Sequence, residues 1–308
     1  MQIYLPIAEL PVNIIMILAM GLVVGFLSGM FGVGGGFLMT PLLIFLGIPP
    51  AVAVGTQSTQ VVASSVTGAL AHWRNASIDF KMGGIMLVGG VFGSITGIYI
   101  FRLLTQIGQV DLMISVIYVI FLTIIGVMML SESLRAIMAA RSGRVIPSNR
   151  GGQHSWIHGL PFKMRFRRSK LYTSIIPPIL IGYFVGILSA IMGVGGGFIM
   201  VPAMIYLLRM PTSVVIGTSL FQIVFVSALT GVMHSVENQA VDAMLALLLV
   251  LGGVVGAQYG VKAATKLQGE QLRAMLAIIV LVMGLRLGWD LVTPPADLYS
   301  ITDVAPHS

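Results

Sequence analysis

Two glycine runs carry most of the chemistry available to this sequence. Gly32-Val33-Gly34-Gly35-Gly36 and Gly193-Val194-Gly195-Gly196-Gly197 each follow an apolar stretch and precede another of about eleven residues, 37–47 and 198–208. A glycine weakens a helix by about 1 kcal/mol relative to alanine, and three in succession end one. The half-helix that follows begins near Phe37 or Phe198. Its first N–H groups lack intrahelical partners and carry the positive end of the helix dipole. Without side chains in the way, an anion can approach that backbone closely. Close helix packing through small residues is the competing role. A phosphate loop fails because no Gly-Lys-Ser/Thr follows, and a dinucleotide fingerprint fails for want of a preceding strand and a later acid.

Thr56, Gln57 and Gln60 form a second constellation, with Thr218, Ser219 and Gln222 in a matching place. Thr56 and Gln60 are four apart and share a helix face, as do Thr218 and Gln222. Hydroxyls and amides can donate to an oxyanion without burying a charge. They also serve as interhelical hydrogen bonds, and the two roles can coexist. The candidate binding residues are therefore Gly34, Gly35, Gly36, Phe37, Gly195, Gly196, Gly197 and Phe198, with these six polar side chains. His72 and His234, at matching helix ends, are the candidates for proton sensitivity. Arg286 either attracts anions or snorkels to the interface.

The elements that position these residues follow from composition. The chain has 308 residues, 57% hydrophobic and 9% charged, with a mean hydropathy of +1.00. A soluble domain carries about 25% charged residues, so a polytopic all-α membrane protein is expected. Apolar stretches fall at about 12–31, 37–47, 50–71, 83–104, 110–131, 174–192, 198–208, 212–233, 242–261 and 271–289. The two of about eleven residues span roughly 16 Å as helix, half a bilayer. They are read as parts of re-entrant or discontinuous elements. The other stretches, from 50–71 onward in the first half and from 212–233 in the second, are expected to cross as ordinary helices. The first apolar run lacks a preceding basic segment and is expected to belong to the mature fold.

The chain repeats. GFLSGMFGVGGGFLMTP at 25–41 and GILSAIMGVGGGFIMVP at 186–202 share eleven of seventeen residues at an offset of 161. Gly55-Thr56 and Gln60 then align with Gly217-Thr218 and Gln222, Ser65 with Ser227, and His72 with His234. Four parts result: a first membrane repeat 1–131, a basic linker 132–173, a second repeat 174–290 and a polar tail 291–308.

Charge sets the relative orientation. The net charge is +7. With three crossings per half, 15 of the 17 Lys and Arg residues fall on the linker side; with four crossings the split is 12 to 5. Since cytoplasmic loops collect Lys and Arg, the first arrangement is preferred. It has inverted-topology repeats, each a glycine-broken element plus three transmembrane helices, with both termini periplasmic and 132–173 cytoplasmic. Duplicated hydrophobic halves are a signature of secondary transporters.

No Asp, Glu, Lys or Arg lies mid-span, so a buried carboxylate relay is not expected. HExxH and GxSxG are absent, cysteine is absent, and the twenty Met read as packing. No enzyme, cofactor, metal site or nucleic-acid partner is expected. The expected partners are a small anion and the lipid bilayer.

The paired G-x-L-S-x-x-x-GVGGGF-[LI]-M-x-P, followed by GT-x-x-x-Q, resembles the TauE/SafE family of sulfite and organosulfonate exporters. The resemblance covers both halves. It implies a bacterial inner-membrane transporter of small sulfur-containing anions such as sulfite or sulfoacetate, more often exporting than importing. It places the family's motif on Gly34, Gly35, Gly36, Gly195, Gly196 and Gly197. The expected mechanism is alternating access with the anion at the midplane. A channel-like anion pathway, or another small anion, is the alternative.

Overall fold

The computed structural model describes residues 2–31, 35–74, 77–141, 161–166, 168–169, 171–208, 210–264 and 269–293. Ten helices and two short hairpins make up these residues. In the first half a hairpin of β1 (Gln2–Leu5) and β2 (Leu10–Asn13) leads into α1 (Ile14–Phe31), α2 (Gly36–Phe45), α3 (Pro50–Arg74), α4 (Phe80–Ile107) and α5 (Val110–Arg141). In the second, β3 (Lys163–Phe166) and β4 (Leu171–Ser174) lead into α6 (Ile176–Met192), α7 (Gly197–Tyr206), α8 (Thr212–Glu237), α9 (Ala243–Ala264) and α10 (Gly269–Val292). The protein is an all-α polytopic membrane protein. Among the described residues, five helices are long and apolar enough to cross a bilayer: Phe80–Ile107, Val110–Ser131, Val214–Glu237, Ala243–Gly260 and Met275–Val292.

α3 has the length but not the apolar composition. Its Thr56, Gln57, Ser58, Gln60 and Ser65 are all buried against protein, so none has to face lipid. Large apolar side chains such as Phe92, Ile120, Ile124, Leu247 and Leu251 stay exposed on the outer helices, as a lipid-facing belt requires.

The two halves interlock. α1 packs against α9, and α6 packs against α4 in the equivalent way. Both contacts are backbone to backbone through glycine. A methyl group at Gly25 would lie 2.2 Å from the carbonyl oxygen of Gly253, and one at Gly93 would lie 2.0 Å from that of Tyr183. No side chain fits at either position without separating the helices. In both pairs the helices run parallel: Gly21 and Gly29 lie at Leu249 and Ala257, and Gly89 and Gly97 at Ile179 and Ile187.

Corresponding helices of the two halves run antiparallel. Along α3 and α8, Gly231 lies at Ser58, Leu220 at Gly68 and Gly217 at His72. Along α5 and α10, Gly126 lies at Leu281 and Gly288 at Val119. The start of α3 thus meets the end of α8 on one face, beside the β1–β2 hairpin. The end of α3 meets the start of α8 on the opposite face, beside β3–β4. α1 starts from the β1–β2 hairpin, and Gly47, just past the end of α2, lies beside Leu10 of the same hairpin.

Candidate functional site

The two glycine runs meet. Gly36, the first residue of α2, sits so close to Val194 that a methyl group there would lie 2.5 Å from the Val194 carbonyl oxygen. Phe37 and Phe198, equivalent residues one position into their half-helices, stack with ring centres 4.1 Å apart and planes 10° from parallel. Gly35 and Gly196 occupy the N-cap positions of α2 and α7 with φ of 66° and 75°, left-handed values that favour glycine. Gly195 is left-handed too, with φ 72°. Gly34 lies outside the described residues.

The first N–H groups of two ten-residue helices therefore converge. Each helix end carries about half a positive charge. Among the described residues, no three His, Cys, Asp or Glu side chains group as a metal site would require. Such helix ends favour negative charge.

The second glycine run lies along α3. Gly193 abuts the Val54 backbone, and a methyl group at Gly195 would come within 2.4 Å of Val61 and 2.9 Å of the Ser227 hydroxyl. Gln57 shares the α3 face that Val54 and Val61 define. Several polar atoms of α3 and α8 are buried with no protein partner: Gln57 Oε1, Gln60 Nε2, Ser65 Oγ, Gln222 Oε1 and Ser227 Oγ, the last of them beside Gly195. A buried polar group left without a partner costs about 1–3 kcal/mol.

The predicted polar residues divide. Gln57 and Gln60 bond to each other (Nε2 to Oε1, 3.4 Å), and the Gln222 amide reaches the Met86 carbonyl at 3.5 Å. Ser219 donates to the carbonyl of Ile216, within its own helix. Thr56 and Thr218 do not lie at the junction. They sit toward opposite faces, where the Thr56 hydroxyl accepts from the Asp242 N–H (2.9 Å) and the Thr218 hydroxyl from the Asp79 N–H (3.0 Å).

Those two aspartates are residues that motif reasoning passed over. Asp79 is 3% exposed and Asp242 1%. Asp242 Oδ1 accepts from the N–H groups of Met244 and Leu245, capping α9, and Oδ2 accepts from Ile7 in the first hairpin. Asp79 Oδ1 accepts from Met82 N–H, capping α4, and Oδ2 accepts from the N–H and hydroxyl of Ser169 in the second hairpin. Each aspartate, through its carboxylate and its backbone N–H, ties a hairpin, a helix start and a threonine of the other half into one knot. The signal was available: both acids stand just before the fourth helix of their half, at an offset of 163.

The histidines differ from one another. His234 is fully buried, donates from Nε2 to the carbonyl of Ala190 (2.8 Å) and accepts at Nδ1 from Asn238. Tyr118 donates to the carbonyl of Met192. Both side chains satisfy carbonyls that the glycine break frees at the end of α6. His72 instead bonds the Ser77 hydroxyl (2.9 Å), and with Ser28, Gly29 and Ser64 it lines a cavity of about 20 Å³. Arg286 lies over the Phe45 ring at 4.9 Å, in a hollow it shares with Asp290 on the β1–β2 face.

The convergent glycine elements, duplicated along the chain, match a known family of membrane transporters. The profile of "Sulfite exporter TauE/SafE" matches residues 17–287. The chain belongs to the TauE/SafE family. Similar proteins include "Probable membrane transporter protein YunE" of Bacillus subtilis, 28% identical over 90% of this chain and 98% of its own. "Probable membrane transporter protein YjnA" of the same organism is 30% identical over 88% and 98%. "Sulfite exporter TauE/SafE family protein 1" of Arabidopsis thaliana is 43% identical over 60 residues, 20% of this chain and 13% of its own. No solved structure matches. As a TauE/SafE protein the chain is a multi-pass membrane transporter.

Proposed function

We propose that this TauE/SafE protein moves a small sulfur oxyanion, sulfite or an organosulfonate such as sulfoacetate, out across the bacterial inner membrane by alternating access. The observation that carries this reading is the convergence of α2 and α7 at Gly36, Val194 and the Phe37–Phe198 stack. The family name supplies the sulfur, and the unpartnered Ser65 and Ser227 hydroxyls and Gln60 Nε2, with the backbone N–H groups at the half-helix starts, supply the neutral donors. Export of an anion runs downhill in an inside-negative cell by about 2.3 kcal/mol per charge per 100 mV, so efflux needs no coupling ion. The test is flux in proteoliposomes across sulfite, sulfoacetate, taurine, thiosulfate and sulfate, with and without a pH gradient. Saturable sulfite flux is expected. Absence of flux for every member of the panel would sink the reading, and single-channel currents would favour the channel alternative.

Inverted repeats, each with a re-entrant α1–α2 or α6–α7 element, account for the antiparallel pairing of α3 with α8 and α5 with α10. Alternating access draws on a further asymmetry. Gly29 is the counterpart of Ala190, yet His72 bonds Ser77 where His234 bonds the Ala190 carbonyl. Unequal conformations in inverted halves let a central site face one side at a time. Because α1 holds α9 and α6 holds α4, the rocking units are α1–α3 with α9 and α6–α8 with α4, not the halves as they run in sequence.

Positive-inside charge assigns the β3–β4 face to the cytoplasm and the β1–β2 face to the periplasm. The chain has no cysteine, so single-cysteine labelling reads this directly. Pro6→Cys is expected to react with a membrane-impermeant maleimide in intact spheroplasts, and Lys163→Cys only after lysis. The opposite pattern would invert the assignment.

A further inference from the structure

The face of α3 that meets the second glycine run continues past it. Val54 lies against Gly193 and Val61 against Gly195. Ser64, Gly68 and His72 extend the same helical stripe toward the end of α3 beside β3–β4. With Ser28 and Gly29 of α1, those three residues line the cavity of about 20 Å³, room for about one water molecule. Ser28 joins this cavity to the start of α2. A methyl group at Gly35, the N-cap of α2, would lie 2.8 Å from the Ser28 Cβ and 3.1 Å from its hydroxyl oxygen. Ser28 is 5% exposed, yet its hydroxyl makes no hydrogen bond among the described residues.

Given that the paired half-helix starts take a sulfur oxyanion, we propose that Ser28, Ser64 and His72 form the anion's approach to the start of α2 from the β3–β4 face. The matching approach to α7, past Ser189 and His234, is shut in this conformation.

An oxyanion leaving water needs donors in place of its hydration shell, and a serine hydroxyl supplies one without burying a charge. Ser28 is free to donate. Ser64 donates to the Val61 carbonyl three residues back, a bond within its own helix that it can exchange for one to a ligand. At the outer end the His72 ring bonds the Ser77 hydroxyl and leaves the Gly29 backbone alone. The passage is narrow, so an anion moves along it only as the helices part.

The second half closes the equivalent route. Ala190 stands where the first half has Gly29, and Thr230 where it has Gly68. Ser189, Ala190, Thr230 and His234 are all buried. His234 donates to the Ala190 carbonyl, and Thr230 to the Val226 carbonyl. The Ser189 hydroxyl, counterpart of Ser28, is buried without a partner and without a way in.

The chain has no cysteine, so Ser28→Cys and Ser189→Cys can each be read alone. The probe is sulfonatoethyl methanethiosulfonate, a small membrane-impermeant sulfonate, applied to either face of membrane vesicles, with Lys163→Cys marking the β3–β4 face. Ser28→Cys is expected to react about tenfold faster from that face than from the other, and about tenfold faster than Ser189→Cys. Sulfite is expected to slow the reaction. Gly68→Thr puts the second half's side chain into the cavity. Its Cβ would meet only Leu220, whose flexible end lies 3.0 Å away, so the protein is expected to fold. Sulfite flux, and labelling of Ser28→Cys in the double variant, are each expected to fall about tenfold. Ser28→Cys that reacts equally from both faces, or is inert, or is not slowed by sulfite, while the wild-type protein carries sulfite, would overturn the inference and leave the sulfur-oxyanion reading intact. So would unchanged labelling and flux in Gly68→Thr. Labelling that no sulfur oxyanion slows, in a protein that carries none of them, would overturn both.

Discussion

Gly195→Val is expected to abolish sulfite flux, by at least a hundredfold, while the protein still inserts and can be purified. A side chain there meets Val61 at 2.4 Å and the Ser227 hydroxyl at 2.9 Å, and it must also adopt φ 72°. A non-glycine residue in the left-handed region costs about 1–2 kcal/mol, which a polytopic bundle of this size can absorb. The valine side chain would also fill the space the anion is proposed to occupy. Ser227→Ala separates the two effects. The Ser227 hydroxyl has no protein partner, so deleting it removes no bond from the fold, and the thermal midpoint in detergent is expected to stay or rise. A hydrogen bond to a charged ligand contributes about 1.5–3 kcal/mol, so sulfite affinity should drop by roughly ten- to a hundredfold. Loss of thermal stability with unchanged affinity would assign Ser227 to packing instead.

Asp242→Ala carries the second large effect, on stability. Its carboxylate accepts from three backbone N–H groups, of Ile7, Met244 and Leu245, at 1% exposure. Losing a helix cap costs about 1 kcal/mol, and the abandoned N–H of the hairpin adds a buried unsatisfied group. A loss of about 3 kcal/mol is expected, seen as a lower thermal midpoint and as new protease cleavage within residues 2–13. Asp242→Asn retains an acceptor oxygen for the α9 N–H groups and is expected to lose about half as much. Asp79→Ala should behave alike on the opposite face, where Ser169 and Met82 lose their acceptor. Wild-type stability in both alanine variants would show that the knots are dispensable.

Much of this protein was legible from sequence. The scarcity of charge determined a membrane protein, the duplication determined two equivalent halves, and the glycine runs determined where helices must break. Those are local properties: a helix cannot continue through three glycines, and hydrocarbon does not accept charged side chains, whatever the rest of the chain does. The short half-helices at Gly36–Phe45 and Gly197–Tyr206 fall where the breaks require. Basic residues of the linker likewise mark one face without any structure.

Tertiary structure decided what those local breaks add up to. It brought Gly36 to Val194 and Phe37 to Phe198, contacts more than 150 residues apart that no spacing reveals. It moved Thr56 and Thr218 away from the junction and set Ser227 beside Gly195, because an antiparallel α3–α8 pair carries the starts of both helices to opposite faces while their centres cross. It paired α1 with α9 and α4 with α6, so that the packing units cross the boundary between the sequence halves. And it gave His72 and His234, identical in sequence position, different partners. Which carbonyl a side chain can reach depends on how far apart the packed helices stand, and that distance is a property of the assembled bundle alone.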